Sequence, residues 1–413
     1  MHPKMKLRRY AGAVYDREEL DSMTSAMQDG WWSGGERTEL FEHDFAGFLG
    51  VKHAISCNSG SSANLLAMSA LEMELGAEVI TPAATFPTTI NPAIVTGLSP
   101  VFVDVELDTY NIDPIMLEKA VTGRTGAVMV PHMLGNPCDM DRIRNICSRH
   151  GLRLVEDCCD ALGSKYKDRP VATFGDMATF SFYPAHHMTT GEGGMVVTDD
   201  GELAERLRGY RDWGRLCNCE PCQEVARQKE GYLCPKRLNF KLPDGTPYDR
   251  RYAYGYIGFN LKMTELQAAM GLAQLKKLSG FVEARKRNFD TLRRCVENVT
   301  HFLLPHTYPS ADPCWFAFPL TVKDGAPFYR EQATRYLESR GVQTRPMFAG
   351  NLLRHPAYQN KGFRVVGKLT NSDKVMKDTF FIGVYPGLAT EDMEFIGEAI
   401  CDIDNGRAGL PGK

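Results

Sequence analysis

Three strand-like runs close the stretch of sequence that decides the fold: RLVEDCC (residues 153–159), MATFSFYP (177–184) and GGMVVTDD (193–200). Upstream, the runs EVITPA, PVFVDVE and GAVMVPHM alternate with helical segments such as IMLEKAV and DMDRIRNICSRHG. From about residue 50 to residue 200, this alternation predicts βαβ units and a mostly parallel sheet in an α/β fold. In such a sheet, functional groups collect at the carboxyl ends of the strands.

The composition is that of an ordinary folded protein. The chain has 413 residues, of which 43% are hydrophobic and 24% charged, and its net charge of −3 comes without a basic block for nucleic acid. Prolines interrupt the longest uncharged run, and the first residues lack the apolar core of a secretory signal. We therefore expect a cytoplasmic protein without nucleic-acid or membrane partners, whose twelve cysteines are buried thiols, metal ligands or catalytic groups.

The sequence also predicts a division into domains. Residues 214–256 form a Cys-, Pro- and Gly-rich insert without clear periodicity, which is typical of a functional loop. After it, Met263–Leu278 reads as a long helix with Thr264 and Gln267 at capping-box spacing. We expect a large domain at 1–275 that includes the insert, a smaller C-terminal α+β domain at 276–405, and a tail at 406–413.

Three motifs in the first half carry polar residues where strands end or helices begin. CNSGSSANLLAMSAL, from Cys57, could bind an anion at a helix start, although alone it is more typical of a Ser-capped helix. Glu156 and Asp157 end a strand, where an acid is as often a helix cap. The pair His186 and His187 lacks metalloprotease spacing, and such a pair is more often structural than catalytic.

In this order, the three motifs resemble the sugar-nucleotide aminotransferase family of fold-type I PLP enzymes, and IGFNLKMTELQAAMG (257–271) extends the resemblance. The resemblance implies that Asp157 pairs with the pyridine nitrogen of the cofactor and that Phe86 stacks on its ring. It implies that the cofactor phosphate is held by Gly60, Ser61, Ser62 and Ser181, and by Asn260 across the interface of a homodimer.

One position departs from the family pattern, because His186 stands where the resemblance puts the PLP lysine. An imidazole cannot form the Schiff-base link that anchors PLP, so the cofactor is expected as non-covalently held PMP. His186 would then act as the catalytic base. The alternative is an inactive paralogue.

The cysteines resemble a branch of the family, the PMP-dependent 3-dehydratases that carry a [2Fe-2S] cluster. Cys159, Cys217 and Cys219 match the C-x57-C-x-C pattern of that branch, but its fourth position falls on Arg227. We expect Cys234 as the fourth ligand, with Cys222 as the alternative. From the spacing alone, a structural zinc site is the more common outcome for four thiolates.

The function implied by the resemblance is a nucleotide-diphosphate 4-keto-6-deoxyhexose 3-dehydratase that uses PMP and the cluster. It would serve C3 deoxygenation in deoxysugar or lipopolysaccharide biosynthesis, with electrons from a separate NAD(P)H-dependent flavin/iron-sulfur reductase. The alternatives are a cluster-free PMP-dependent dehydratase and a non-catalytic sugar-nucleotide-binding paralogue. The nucleotide carrier is open between CDP, dTDP and GDP, and Phe348 and Asn351 are candidate substrate contacts.

Overall fold

The computed structural model describes residues 6–217 and 234–410. In chain order its strands are β1 (His53–Cys57), β2 (Glu78–Pro82), β3 (Ser99–Val103), β4 (Thr125–Pro131), β5 (Arg153–Asp157), β6 (Lys165–Tyr166), β7 (Arg169–Pro170), β8 (Met177–Ser181), β9 (Gly194–Thr198), β10 (Phe240–Lys241), β11 (Pro247–Tyr248), β12 (Phe302–Leu303), β13 (Ala311–Asp312), β14 (Ala317–Val322), β15 (Thr344–Pro346), β16 (Arg364–Val365) and β17 (Thr379–Gly383).

The helices are likewise numbered along the described part of the chain. They are α1 (Arg17–Gln28), α2 (Glu36–Leu49), α3 (Gly60–Ala70), α4 (Pro87–Val95), α5 (Pro114–Ala120), α6 (Met140–His150), α7 (Gly201–Arg211), α8 (Pro235–Leu238), α9 (Glu265–Cys295), α10 (Arg330–Ser339), α11 (Thr370–Asp378) and α12 (Thr390–Asp404). No helix in these described ranges is long and apolar enough to cross a membrane.

The central sheet has the strand order β1-β9-β8-β5-β4-β2-β3-β16. The pairs from β8 to β16 are parallel, whereas β9 runs antiparallel to both β1 and β8. In the register of β5, Asp157 lies opposite Pro131 of β4 and Thr179 of β8. The carboxyl ends of these three parallel strands therefore meet at one edge, and the predicted mostly parallel α/β sheet is confirmed.

Hydrophobic side chains cover both faces of this sheet, which is why its strands read as nearly continuous apolar runs. Val79 and Met129 pack with residues of α3, α4 and α7 on one face. Their neighbours Ile80 and Val128 pack with residues of α5 and α6 on the other face. Alternate residues of one strand thus serve two cores.

The second sheet is antiparallel, has the order β12-β14-β17-β15 and lies in the C-terminal part of the chain. The helix α9 leads into it and is a single helix of 31 residues that continues to Cys295, beyond Leu278, where the predicted helix ended. The capping box at its start is present, with the Thr264 hydroxyl accepting from the Gln267 N–H and the Gln267 side chain accepting from the Thr264 N–H. No proline lies inside α9, so its backbone hydrogen bonds can continue past Leu278.

The C-terminal part also returns to the central sheet, where β16 pairs with β3. Asp104, just after β3, accepts hydrogen bonds from the N–H groups of Asn371 and Ser372 at the start of α11. Residues beyond position 275 thus contact the large sheet at several points. The division at residue 275 stays a prediction.

Candidate active site

A cavity of about 500 Å³ opens at the carboxyl edge of the central sheet. Residues from the start of α3, from the ends of β4, β5 and β8, and from β15 and the segment just after it line the cavity. Among the predicted site residues, the cavity is lined by Gly60, Ser61, Phe86, Asp157, Cys159, Ser181, His186 and Phe348. The fold therefore brings eight of these side chains or glycines to one place.

The start of α3 forms an anion-binding cradle in the cavity wall. Ser59 is the N-cap residue, and its hydroxyl accepts a hydrogen bond of 3.1 Å from the Ser62 N–H. A Cβ on Gly60 would lie 2.5 Å from Cβ of Ser181, so this close approach requires glycine. Free backbone N–H groups and the helix dipole favour an anion here.

Ser62 does not belong to the cavity wall. Its hydroxyl accepts a hydrogen bond of 3.0 Å from Ser59 Oγ, whereas Ser59 itself lines the cavity. Ser59 is thus a wall residue that the sequence did not single out, although it lies in the quoted motif. The helix-cap reading and the anion-site reading of this motif are compatible, because one serine both caps the helix and faces the cavity.

Asp157 ends β5 with its carboxylate held by three donors. Its Oδ2 accepts from Asn64 Nδ2 at 3.0 Å and from Thr89 Oγ1 at 2.8 Å. Its Oδ1 accepts from the Cys159 N–H at 3.1 Å. The side chain is buried but reaches the cavity, so a single carboxylate with spare acceptor capacity lies at this end of the site.

His186 also faces the cavity, next to a carboxylate. Its Nδ1 lies 3.3 Å from Oδ1 of Asp160, and its ring centroid lies 5.4 Å from that of Phe316. Burial raises the pKa of Asp160, while the His186 imidazole opposes that rise. The backbone carbonyl of His186 accepts a hydrogen bond of 2.9 Å from the buried Arg285, and burial lowers the pKa of that guanidinium to about 10.

The neighbouring imidazole of His187 turns away into the interior. Its Nε2–H donates a hydrogen bond of 2.8 Å to the Cys314 carbonyl. Burial, reinforced by the charge of Arg285, lowers the pKa of His187 well below its usual value, so the ring is neutral. The structural interpretation of the histidine pair therefore fits His187, whereas His186 faces the cavity.

Glu156 is likewise a structural group. Its carboxylate accepts hydrogen bonds from the N–H groups of Ala172, Phe174 and Gly175 and from Nε2 of His132. With Cys158, these two side chains are the one group of three potential metal ligands within 4.8 Å in the described ranges. Because the Cys138 N–H already occupies Nδ1 of His132, that imidazole has no nitrogen left for a metal.

Aromatic side chains close one wall of the cavity. Phe86 is 50% exposed, and its ring meets that of Phe348 edge-on, with centroids 5.8 Å apart. Phe348 has a positive φ of 45°, a costly conformation for a bulky residue that is typical of functional sites. Asn351 lies outside this wall, because its side-chain amide donates to Asp373 and its oxygen accepts from the Leu353 N–H.

The predicted cluster cysteines are only partly described. Cys159 lines the cavity, and burial, together with the nearby Asp157 carboxylate, raises the pKa of its thiol well above the usual value. Cys217 and Cys234 are half-buried. Cys217 is the last residue of the first described range, and Cys234 is the first residue of the second. Cys219 and the alternative ligand Cys222 lie outside the described residues. The cluster ligand set stays a prediction.

Asn260 is exposed and does not reach the cavity of its own chain. It pairs with Asp212 in an isolated antiparallel bridge at the surface. The predicted contact across a dimer interface stays a prediction.

Sequence reasoning missed several groups of the site, among them Ser59, Asn64, Thr89 and Asp160. Ser59 and Asn64 lie in the quoted helix-start motif, and Asp160 follows Asp157 by three residues. Nothing in their spacing shows that they face the same cavity. Together with the predicted residues they offer an anion cradle, a buried carboxylate, an aromatic face and an imidazole, which is a donor set that fits PLP or PMP.

The comparisons with known proteins agree with this fold and site. The model of the DegT/DnrJ/EryC1/StrS aminotransferase family matches residues 14–401, and the chain belongs to this family. It is 46% identical to the lipopolysaccharide biosynthesis protein RfbH of Salmonella typhimurium over 94% of this chain and 89% of that protein. It is also 46% identical to the dTDP-4-dehydro-2,6-dideoxy-D-glucose 3-dehydratase of Saccharopolyspora spinosa, over 96% of this chain and 86% of that protein.

Solved structures show the same architecture. The E. coli GDP-4-keto-6-deoxy-D-mannose-3-dehydratase with bound hydrated PLP has a TM-score of 0.85 and 28% identity, covering 96% of this chain and 100% of that chain. A GDP-4-keto-6-deoxymannose-3-dehydratase structure with bound GDP-perosamine has the same score and identity over 95% and 100%. The predicted family and the fold-type I PLP architecture are thereby confirmed. The protein is a member of a PLP- or PMP-dependent family of nucleotide-sugar enzymes.

Proposed function

We propose that this protein is a PMP-dependent nucleotide-sugar 3-dehydratase that removes the C3 hydroxyl of a 4-keto-6-deoxyhexose. The observation that carries the proposal is the imidazole of His186 in the cavity, beside Asp160 and at the position where the resemblance puts the family's lysine. The similarity to two proteins named as 3-dehydratases supports it. A 46% identity to a lipopolysaccharide biosynthesis protein supports a role in making deoxysugars for such polymers.

Different cavity residues would bind different parts of PMP. The α3 start at Gly60 and Ser61, with Ser181, would bind the phosphate, and Asp157 would pair with the pyridine nitrogen. The half-exposed ring of Phe86 would stack on the cofactor. When bound, PMP supplies an amine that reacts with a sugar ketone and a ring that accepts electrons.

His186 is proposed as the group that moves the proton. Its Nδ1 lies 3.3 Å from Oδ1 of Asp160, and we assign the proton transfer to its other nitrogen, Nε2. Arg285 holds the backbone of His186 and the ring packs against Phe316, so the imidazole has a defined position. Orientation of this kind lets an imidazole act as a general base.

The cysteines extend the proposal to a redox reaction. The ligand set Cys159, Cys217, Cys219 and Cys234 would hold a [2Fe-2S] cluster, with Cys222 as the alternative to Cys234. Cys159 lies two residues from Asp157 in the same cavity wall, which would put such a cluster beside the cofactor. A bound cluster supplies single electrons, so a separate NAD(P)H-dependent flavin/iron-sulfur reductase would be the partner.

We further propose a homodimer in which Asn260 reaches the phosphate of the partner's cofactor. The exposed position of Asn260, away from its own cavity, is compatible with that role. Within this branch, the sequence resembles CDP-6-deoxy-L-threo-D-glycero-4-hexulose-3-dehydrase. This resemblance favours CDP as the nucleotide carrier of the substrate. The similarity to dTDP- and GDP-named relatives makes these two nucleotides the carriers to test beside CDP.

The test is anaerobic purification, followed by iron, sulfide and zinc analysis and by assays with PMP and the CDP-, dTDP- and GDP-linked 4-keto-6-deoxyhexoses. We expect equal amounts of iron and sulfide, a broad visible absorption band and elimination of the C3 hydroxyl from one of the three substrates. A Cys217→Ser variant should lose iron and the band. The matched control is Cys295→Ser, an exposed cysteine on α9.

Each negative result has its own meaning. Protein with zinc or without metal that still eliminates the hydroxyl would favour the cluster-free dehydratase. Protein that binds PMP and cluster but eliminates the C3 hydroxyl from none of the substrates would refute the proposed reaction. Failure to bind PMP would favour the non-catalytic paralogue.

A further inference from the structure

Three buried polar side chains form a hydrogen-bonded series next to Asp157, and the proposed reaction does not by itself assign them a role. The members of this series are Thr179 on β8, Asn64 on α3 and Thr89 on α4, and each is at most 1% exposed. None of the three is charged. Buried polar groups of this kind are costly unless they are fully hydrogen-bonded, so their contacts show what they hold in place.

The orientation of the Asn64 amide is determined by its neighbours. Its Nδ2 lies 3.0 Å from the Thr88 carbonyl oxygen and 3.0 Å from Asp157 Oδ2. A carbonyl and a carboxylate oxygen both accept, so the nitrogen must be on this side. On the other side, Thr179 Oγ1 donates to Asn64 Oδ1 at 2.5 Å. The hydrogen bond from Thr179 therefore fixes the orientation of the Asn64 amide, in which both hydrogens of Nδ2 are donated.

The effect on Asp157 is asymmetric. Oδ2 accepts two side-chain hydrogen bonds, from Asn64 and Thr89, whereas Oδ1 accepts one, from the Cys159 backbone. Each carboxylate oxygen has two lone-pair positions, so Oδ1 is the oxygen with fewer backbone and side-chain donors of this set. Asp157, Asn64 and Thr89 all line the cavity, which places the carboxylate at the cavity wall.

We propose that Thr179 and Asn64 are positioning residues that, with Thr89, occupy one oxygen of Asp157 and present the other to the ring nitrogen of the cofactor. The proposal deepens the proposed function and rests on its assignment of Asp157 to that nitrogen. Thr179 does not line the cavity and acts through Asn64. Its hydroxyl is thus the part of the series that can be removed with the least disturbance of the site.

The test compares Thr179→Val and Asn64→Leu with wild-type protein loaded with PLP labelled with ¹⁵N in the ring. Removing one buried hydrogen bond typically costs a factor of about five to ten in an equilibrium constant, so we expect the dissociation constant of PLP to rise by that factor. The ring ¹⁵N resonance should move toward that of an unprotonated pyridine. Asn64→Leu, which also removes a direct donor, should show the larger change.

The matched control is Thr321→Val in β14. Thr321 is fully buried, and its hydroxyl bonds to Tyr110 and Thr379 in the second sheet, away from the cavity. This variant should lose a comparable amount of stability in urea unfolding and leave both PLP readouts unchanged. Folded Thr179→Val and Asn64→Leu proteins with wild-type affinity and ¹⁵N resonance would overturn the positioning role.

The outcome separates this inference from the proposed reaction. Wild-type protein that binds PLP with a shifted ring resonance but eliminates no C3 hydroxyl would refute the reaction, while the variants would still decide the positioning role. A wild-type protein that does not bind PLP or PMP would overturn both proposals.

Discussion

His186 and His187 are adjacent in the chain but lie in opposite surroundings. The first faces the cavity beside Asp160, and the second donates to the Cys314 carbonyl in the interior. The pair Glu156 and Asp157 divides in the same way, since backbone N–H groups surround the Glu156 carboxylate, while Asp157 reaches the cavity. In both pairs, one residue stabilises the walls and its neighbour is free to meet a ligand.

For the acidic pair, this division follows from the geometry of a strand, whereas the two histidines lie in the irregular segment after β8. Successive side chains of β5 point to opposite faces of the sheet, so Glu156 and Asp157 cannot both reach the same cavity. When two chemically similar residues are adjacent in the sequence, one of them can face the ligand cavity while the other stabilises the fold. Variants of each pair should separate the two roles.

The largest effect is expected for the histidines. His186→Asn keeps a side chain that can contact Asp160 but has no nitrogen in the Nε2 position, so kcat should fall by about 10²–10⁴-fold while PMP still binds. The measurement is steady-state turnover of the accepted substrate together with PMP binding.

The control is His187→Gln, whose terminal amide can still donate to the Cys314 carbonyl. It should keep turnover within a few fold of wild type. A His186→Asn variant with undiminished kcat would remove this residue from the mechanism.

The acidic pair should divide stability from cofactor binding. Glu156→Gln places an amide against N–H donors and should cost about 3 kcal/mol in the free energy of unfolding, measured in urea. Asp157→Asn can keep an oxygen toward Asn64 and Thr89 and sets its amide against a single N–H donor, that of Cys159. It should therefore lose less stability than Glu156→Gln and bind PLP more weakly. Equal losses of stability in the two variants would contradict the division.

Glu156 also predicts a pH dependence of stability. Burial alone would raise its pKa, but hydrogen bonds from His132 and the backbone outweigh burial and hold the pKa below the usual glutamate value of about 4.5. A lowered folded-state pKa stabilises the protein above about pH 4.5 and loses that contribution as the pH falls. Urea midpoints between pH 7 and pH 3 should therefore fall more steeply for wild type than for Glu156→Gln.

The smallest effect in this series compares two glycines. Gly60→Ala puts a Cβ 2.5 Å from Ser181 and should cost about 1–3 kcal/mol of stability, with weaker PLP binding. Gly47 lies inside α2 with no atom within 4 Å of an added Cβ, so Gly47→Ala should stabilise the protein by about 0.5–1 kcal/mol. Thermal unfolding with and without PLP measures both, and a Gly60→Ala protein with normal PLP affinity would show that the close approach to Ser181 is dispensable.

Local patterns predicted the fold. The βαβ alternation predicted a mostly parallel sheet, and the spacing of Thr264 and Gln267 predicted the start of α9, both as observed. These two predictions succeeded because strand periodicity and helix capping depend on residues that are close in sequence. The family resemblance, and not local pattern, pointed to Gly60, Phe86, Asp157 and His186; all four line one cavity, and their roles stay predictions.

The sequence by itself determined the α/β class and the residue types available for chemistry, because alternation, caps and motif order are local properties. Only the tertiary structure decided which neighbour in each pair meets the cavity, that Asp160 lies 3.3 Å from His186, and that Thr179 reaches Asn64 across 115 positions of the chain. Such contacts depend on the register of β5 and β8 and on the approach of α3 to the sheet edge. Residues far apart in sequence become neighbours there because the burial of both sheet faces sets the packing of the whole molecule.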